Sequence, residues 1–291
     1  MDAESEEYKI VKMDRNDLKI MLDYAINERW VESYDTIDAY YELDPDGFLK
    51  GVIGDEIVAT ISAVRYPDNF AFLGYYIVKP KYRKKGYGLK IFQKALEHCD
   101  GCMIGLDAVQ ERVESYEKSG FTISTGSIRY IGEAINVNSD LNILNYDENE
   151  HFNHIALYDK DCFPSTRSDF LRNWLKIPNA KSIVYYNDKK ELSGYASMHE
   201  TNKGWEISPC YADSNDIAKA LIATLINKLK EGDPFIVNVP ANNKLATNLI
   251  EELKNTYHIK FVIEDQRMYK NGHPDNLNIP KFYSLLSLAV G

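Results

Sequence analysis

The segment from Val78 to Gly88 reads VKPKYRKKGYG and combines residue types that bind phosphate. Gly86 and Gly88 allow backbone N–H groups to turn inward and approach a ligand closely. The basic run from Arg83 to Lys85 adds positive charge, and a helix expected to begin directly afterwards adds the partial charge of its N-terminus. These features predict a cradle for a pyrophosphate. Taken alone, the segment is also typical of a solvated basic turn.

Two better-known phosphate loops are excluded by their spacing. The sequence contains no Walker pattern, Gly-x-x-x-x-Gly-Lys-Ser/Thr. The dinucleotide fingerprint needs a third glycine, and that position is occupied by Ile91.

A second motif, YEKSGF, runs from Tyr116 to Phe121. The two motifs together resemble the GNAT superfamily of acyl-CoA-dependent N-acyltransferases. The first fits the family loop Val-x-Pro-x-x-Arg/Gln-x-x-Gly-x-Gly/Ala, and the second fits a helix ending in Tyr-x-Lys-x-Gly-Phe. The predicted order of elements from Tyr8 to about Glu133 also resembles that family.

The resemblance implies acetyl-CoA as co-substrate, no metal, and direct attack of an amine on the thioester. Backbone groups of three residues would pair with the pantetheine arm: Tyr76, Ile77 and Val78. The amides of seven residues would surround the pyrophosphate: Arg83, Lys84, Lys85, Gly86, Tyr87, Gly88 and Leu89.

Tyr116 matches the family tyrosine that protonates or hydrogen-bonds the leaving thiolate. The chemistry agrees, because the pKa of a phenol, about 10, is close enough to that of a thiol, about 8.5, for proton donation. The alternative for Tyr116 is a half-buried aromatic on a helix face.

The general base is not evident. Many GNAT enzymes carry a carboxylate on the fourth strand, and the stretch from Phe70 to Tyr75 has none. Asp107, at the end of the predicted fifth strand, is our candidate base. Four other carboxylates lie on the segments that form the acceptor wall in this family, and each is also explained as a cap or solvated charge: Glu28, Glu32, Asp35 and Asp44.

The acceptor pocket has aromatic candidates in the same early segments. Trp30, Tyr34 and Tyr41 could line it, and plain core packing explains them equally well. Arg167 and Arg267 could bind an acceptor carboxylate across a domain interface, although structural ion pairs are the commoner use of such arginines.

The elements that must position these residues occur twice, in the order β-β-β-α-β-α-β. We predict an α/β fold with two tandem GNAT-like domains, each a mixed, mainly antiparallel sheet flanked by helices. The predicted divisions are 1–135 for the acyltransferase domain, 136–149 for a linker and 150–291 for a divergent domain. The second copy is expected not to bind CoA, because its stretch from Ile207 to Asp216 has neither glycine nor basic residue.

Composition limits the partners. Acidic residues outnumber basic ones by 44 to 34, which gives a net charge of −10 and disfavours nucleic acid. No apolar run suits a membrane span or signal peptide, and four cysteines in a long chain fit a reducing compartment. We expect a cytoplasmic protein, with the nucleus as an alternative. Cys99 and Cys102 are interpreted as a chance Cys-x-x-Cys pair, not a zinc site.

The resulting hypothesis is an N-acetyltransferase that modifies a primary amine of a small molecule, as a monomer or homodimer. One alternative is a protein acetyltransferase acting on lysine or N-terminal amines. A second alternative is a catalytically inactive CoA-binding sensor or scaffold.

Overall fold

The computed structural model describes residues 7–139 and 141–291. In those ranges thirteen strands form one sheet, and eight α-helices flank it. The strands are β1 (Tyr8–Lys12), β2 (Phe48–Ile53), β3 (Glu56–Tyr66), β4 (Phe70–Val78), β5 (Met103–Ala108), β6 (Thr122–Glu133), β7 (Leu144–Asn145), β8 (Lys181–Tyr186), β9 (Leu192–Thr201), β10 (Gly204–Ala212), β11 (Pro234–Pro240), β12 (Lys260–Lys270) and β13 (Phe282–Ser284). The α-helices are α1 (Asp17–Asn27), α2 (Ile37–Leu43), α3 (Tyr87–His98), α4 (Val113–Glu117), α5 (Glu148–Asp159), α6 (Ser168–Trp174), α7 (Asn215–Ile226) and α8 (Lys244–Leu253).

The sheet is mostly antiparallel, and its order is β1-β2-β3-β4-β5-β12-β6-β11-β10-β9-β8-β7 with β13 beside β10. Two pairs are parallel, β4 with β5 and β10 with β11. They occupy corresponding places in the two halves of the chain. The predicted fold class, a mixed and mainly antiparallel sheet with flanking helices, is confirmed.

The two halves exchange strands at the centre of the sheet. β12, from the end of the chain, pairs with β5 on one side and with β6 on the other. β6, which closes the first half in sequence, also pairs with β11 of the second half. The predicted boundary at residue 135 therefore divides the sequence but not the sheet, because strands from the two sides of the boundary alternate at the centre of the sheet.

The predicted linker, 136–149, is packed in part. It contains β7, which pairs with β8, and the Asn227 side chain binds both the amide and the carbonyl of Val137 at 3.0 and 2.7 Å.

Three apolar cores hold the helices against the sheet. One lies under α3 and is built mainly from the first half, and another lies under α7 and α8 and is built mainly from the second half. The third lies on the opposite face, where α1 and α2 meet α5 and α6, and it contains residues of both halves. The rings of Tyr40 and Trp174 meet there with centroids 5.9 Å apart. Burial of large aromatic rings at this junction stabilises the association of the two halves.

Candidate active site

A gap opens between β4 and β5. The two strands are paired only from Phe70 with Met103 to Leu73 with Leu106. Beyond Leu73, β4 continues along β3, whereas β5 continues along β12. An edge of β4 is thereby left without a neighbouring strand, and its backbone groups are available to pair with an extended ligand.

A β-bulge lies at the point where β4 leaves β5. The register between β3 and β4 shifts between Thr60 and Ser62. Tyr75 has a φ of +48°, which is rare for a bulky residue. Thr60 Oγ1 donates to the Tyr75 carbonyl at 2.9 Å, and the Tyr75 hydroxyl donates to Glu32 Oε2 at 2.7 Å. The bulge turns Tyr75 toward the core shared by both halves and leaves Tyr76 facing α3.

The predicted cradle connects β4 to α3. Lys84 and Gly86 have φ values of +63° and +84°, and a Cβ placed on Gly86 would meet nothing within 4 Å. Gly86 is the N-cap of α3 and has no side chain to cap it, so the first amides of the helix have no side-chain acceptor. A Cβ on Gly88 would lie 2.8 Å from Tyr76 Oη and 3.0 Å from Val78 Cγ2. Glycines thus leave the loop backbone accessible and allow α3 to approach β4, as a pyrophosphate cradle requires.

The basic residues of the cradle have different surroundings. Arg83 donates from Nε to the Val78 carbonyl at 2.8 Å and forms an ion pair with Glu28. Arg83 therefore fastens the loop to β4 and α1. Lys84 and Lys85 are exposed and are placed to meet an anion.

Tyr116 lies on the α3 side of the gap. Its ring packs against Phe92 and Phe121, with centroids 5.8 and 5.9 Å away. Burial, reinforced by the nearby Tyr76, raises the pKa of Tyr116 above its usual value. The phenol is therefore protonated at neutral pH and can donate to a leaving thiolate.

Asp107 does not have the surroundings of a general base. It accepts two hydrogen bonds from Arg267, at 2.8 and 2.6 Å, and a third from Ser127 Oγ at 3.1 Å. Its side chain is 2% exposed. Because both oxygens are occupied by a buried guanidinium, we assign Asp107 to holding β5 against β12 and do not propose it as the base.

The other sequence candidates are dispersed. Trp30 is half-buried, and its ring lies 6.2 Å from that of Tyr75, beside the bulge. Tyr34 is exposed and binds a carboxylate on α1, and Tyr41 packs against Phe48. Only Trp30 of the three is placed at the gap.

The two arginines form structural ion pairs. Arg167, nearly fully buried, binds Asp159 through Nε and Nη2 at 2.7 and 2.9 Å. Arg267 is paired with Asp107 as described above, so neither guanidinium is free for an acceptor carboxylate.

A buried polar cluster lies on the other side of the bulge, between the two halves. It was not predicted as a unit. We call it the interface cluster, and its residues are Glu32, Tyr40, Tyr75, Arg129, His199, Glu206 and Asn238.

Four neighbouring strands build the far wall of the interface cluster. Arg129 on β6 donates from Nε to Asn238 Oδ1 on β11 at 2.9 Å. Asn238 Nδ2 donates to Glu206 Oε1 on β10 at 2.6 Å. His199 Nε2, on β9, lies 3.8 Å from Glu206 Oε2, and its buried Nδ1 has no partner among the described residues.

Burial controls the charges in the interface cluster. It raises the pKa of Glu32 to about 8, an effect that the Tyr75 hydrogen bond opposes and that nearby Glu206 reinforces. Burial also raises the pKa of Glu206 and lowers that of His199 to about 4. At neutral pH His199 is uncharged, and Glu32 binds a proton when no cation is nearby.

A hairpin of the second half holds the loop that carries Glu32. Asn202, in the turn between β9 and β10, exchanges two hydrogen bonds with the Glu32 backbone at 2.9 and 3.0 Å. Its Nδ2 also donates to the Trp30 carbonyl at 3.1 Å, and Lys203 binds the Arg29 carbonyl. The second half therefore covers and orders one wall of the site.

The corresponding gap of the second half is filled by the chain itself. β10 and β11 are paired only from Trp205 with Phe235 to Ile207 with Val237. β13 then pairs with β10, and the amide of Leu285 donates to the Asn238 carbonyl of β11 at 2.8 Å. In the second half, β13 thus occupies the space that corresponds to the open gap between β4 and β5 in the first half.

A cavity of about 360 Å³ also lies between the halves. Its walls include Phe70, Phe163, Tyr211 and Arg267. Phe70 is five residues before the bulge on an extended strand, so this end of the cavity is remote from the gap, and we assign it no role in the reaction.

Membrane-spanning helices and metal-binding clusters are absent from residues 7–139 and 141–291. No helix there is long and apolar enough to cross a membrane, and no group of three or more potential ligand side chains could hold a metal ion. The four cysteines are free and buried.

Known proteins resemble both halves. Residues 18–121 match the Acetyltransferase (GNAT) family, and residues 155–284 match an Acetyltransferase (GNAT) domain. The holothin acyltransferase of Pseudoalteromonas is 25% identical over 276 residues, which cover 94% of this chain and 91% of that protein.

Solved structures resemble the whole fold. A candidate acetyltransferase of Pyrococcus horikoshii superimposes with a TM-score of 0.81 at 22% identity, covering 98% of this chain and 96% of that one. A tandem GNAT protein from the clavulanic acid biosynthesis pathway gives a TM-score of 0.62 at 11% identity, covering 90% and 98%. With a GNAT domain matched in each half and the open gap and cradle in the first, the chain belongs to the GNAT superfamily of acyl-CoA-dependent acyltransferases.

Proposed function

We propose that this enzyme transfers an acetyl group from acetyl-CoA to a primary amine of a small molecule. The observation that carries the proposal is the arrangement around the bulge of β4. The cradle and Tyr116 lie on one face of the sheet, and the interface cluster lies on the other. Donor and acceptor would thus meet at the gap from opposite faces.

The protein's own groups suit direct transfer. The free edge at Tyr76 to Val78 would bind the pantetheine arm, and the amides from Arg83 to Leu89 would hold the pyrophosphate. Backbone N–H groups beside the bulge would stabilise the charge that develops on the carbonyl oxygen. As the C–N bond forms and the C–S bond breaks, Tyr116 would give its proton to the sulfur.

The crowding near the bulge favours a short acyl group. A Cβ added to Gly74 would lie 2.1 Å from the Ala289 carbonyl oxygen. The ring of Tyr75 is fully buried beside it. There is little room on that face for a long acyl chain.

The covered acceptor wall favours a small molecule over a protein. The turn at Asn202 and Lys203 lies directly on the loop from Arg29 to Glu32. A flexible peptide would have to displace this contact. The similarity to a holothin acyltransferase along nearly the whole chain supports acyl transfer by a tandem protein of this length.

Thiol release from acetyl-CoA, measured with a panel of small amines, tests the proposal. Tyr116→Phe should lower kcat by about 10²- to 10⁴-fold, which is the usual contribution of a general acid. The matched control is Tyr186→Phe, because the Tyr186 hydroxyl binds His154 in the second half, away from the gap. Since the cysteines are buried, the protein's own thiols should add little background.

The same assay addresses the two alternatives. Turnover with lysine peptides but with no small amine would indicate a protein acetyltransferase. Acetyl-CoA binding without turnover on either class of acceptor would indicate a sensor and would overturn the proposal.

A further inference from the structure

Three buried or nearly buried carboxylates in this protein each have a cationic partner. Asp17 is paired with Lys50 at 2.6 Å, and the ion pairs of Asp107 and Asp159 are described above. Pairing offsets the cost of removing a carboxylate from water.

Glu32 and Glu206 depart from this pattern. Within the described residues neither forms an ion pair with a lysine or an arginine, and the only basic group within 4 Å of Glu206 is the uncharged His199. The guanidinium of Arg129, which acts on both carboxylates through its charge, donates from Nε to Asn238 instead. Two carboxylates from different halves therefore share a buried site without a directly bound cation.

This site is placed where an acceptor is needed. Glu32 is bonded to the hydroxyl of Tyr75, the residue at the bulge, and the ring of Trp30 lies beside it. The Glu206 side chain keeps 14% of its exposure, so the interface cluster reaches solvent on the side of the second half. Asp265 adds negative charge near Arg129, and its Oδ1 is buried without a partner.

We infer that the interface cluster is the acceptor site and that it binds a cationic primary amine, an alkylammonium, between Glu32 of the first half and Glu206 of the second. This inference rests on the proposed function and names its acceptor class. Glu206 binds the cation, and Glu32 both binds it and removes its proton. The second half is thus part of the active site although it has no phosphate cradle.

The proton balance is complete with groups already present. The ammonium nitrogen loses two protons in becoming an amide. Glu32 takes the first and passes it to solvent. The second proton restores the phenol of Tyr116, which has given its own proton to the leaving sulfur, so that the net products are the amide, the CoA thiol and one released proton.

The groups that face Glu32 from the neighbouring elements act in both directions. Glu206 disfavours its charge, whereas the Tyr75 hydroxyl and Arg129 favour it. An arriving ammonium adds a positive charge at contact distance, which favours ionisation of Glu32 when the acceptor binds.

Calorimetric titration separates this inference from the proposed function. Phenethylamine, a cation at neutral pH, is titrated into the protein saturated with CoA, in which no acyl transfer can occur. We expect binding to the wild type and at least tenfold weaker binding to Glu206→Gln and Glu32→Gln. Aniline, uncharged at neutral pH, should bind weakly to all three. Glu200→Gln is the control, because Glu200 is exposed on the same hairpin.

Kinetics with acetyl-CoA distinguish the two carboxylates. Glu206→Gln should raise KM for phenethylamine at least tenfold with kcat changed less than threefold, and Glu32→Gln should also lower kcat by about 10²-fold. Unchanged phenethylamine binding in both variants, or equal affinity of the wild type for aniline, would overturn the inference while the acyltransferase proposal remained intact. If the wild type bound phenethylamine as expected but released no thiol from acetyl-CoA, the acyltransferase proposal would fail while the amine-binding site remained.

Discussion

Two adjacent tyrosines on β4 show how backbone conformation decides which face of the sheet a side chain reaches. Tyr75 has a positive φ and turns to Glu32 on one face, while Tyr76 returns to the α3 face beside Gly88. Without the bulge, the alternation of side chains along the strand would place each of the two tyrosines on the opposite face of the sheet. In the proposed reaction, Tyr75 therefore lies between the side that binds the acyl donor and the side that binds the acceptor.

Glu32 should make the stability of the protein depend on pH. Its pKa is about 8 in the folded protein against 4.5 ordinarily, so the folded state holds the extra proton between these values. The contribution is fully present below about pH 4.5 and is lost as the pH rises through about 8. Relative to Glu32→Gln, the free energy of unfolding of the wild type should fall by a few kcal/mol, roughly, from pH 5 to 9.

Urea denaturation at a series of pH values measures this difference. Glu200→Gln, at an exposed position, should follow the wild type throughout. Parallel curves for the wild type and Glu32→Gln would show that the carboxyl is not perturbed by burial.

At the scale of elements, the proposed cradle depends on a loop whose backbone conformation favours glycine at one position. Gly86 and Gly101 both have positive φ, +84° and +77°, and a Cβ at either would meet nothing within 4 Å. Gly86 is the N-cap of α3 at the gap, whereas Gly101 lies in the turn between α3 and β5. The pair allows backbone strain to be separated from ligand binding.

Gly86→Ala and Gly101→Ala should each cost about 1 kcal/mol of stability, because an alanine is strained at positive φ. Only Gly86→Ala should weaken acetyl-CoA binding, by tenfold or more, since the relaxed loop no longer directs its amides to the pyrophosphate. Thermal unfolding and calorimetric titration measure the two effects. Equal affinity of both variants for acetyl-CoA would remove the cradle from the proposal.

For the whole molecule, the exchanged strands make the halves interdependent. β12 of the second half separates β5 from β6, and Asp107 on β5 is bound to Arg267 on β12. A fragment ending at residue 135 would lose β12 beside β5 and both neighbours of β6. The chain should therefore unfold in one transition.

The Asp107–Arg267 pair tests this connection. Asp107→Asn and Arg267→Met should each destabilise the protein by about 3–5 kcal/mol, because each leaves a buried charge uncompensated. The double variant should lose less than the sum, since it leaves no charge behind. Glu97→Gln, which breaks an exposed pair with Lys94, is the control and should change little. Additive losses measured by denaturant unfolding would contradict this role.

The local chemistry of the donor side could be predicted from sequence. Glycine permissiveness, clustered basic residues and helix order depend on neighbours along the chain, so the loop from Val78 to Gly88 could be recognised from its residues, and Tyr116 was assigned by its resemblance to the family motif. The mixed sheet also followed from the repeated order of elements. These are properties that short-range geometry largely determines.

Strand pairing, in contrast, is decided by tertiary structure, because alternation places a residue on a face but does not name its neighbouring strand. For that reason Asp107 could be read as a base, although Arg267, 160 residues later, occupies both its oxygens. For the same reason Glu206 could not be placed beside Glu32. The sequence by itself predicted the loop that we propose holds CoA, and only the fold determined which buried carboxylates of the described residues lack an ion pair with a lysine or an arginine, because those contacts join residues far apart in the chain.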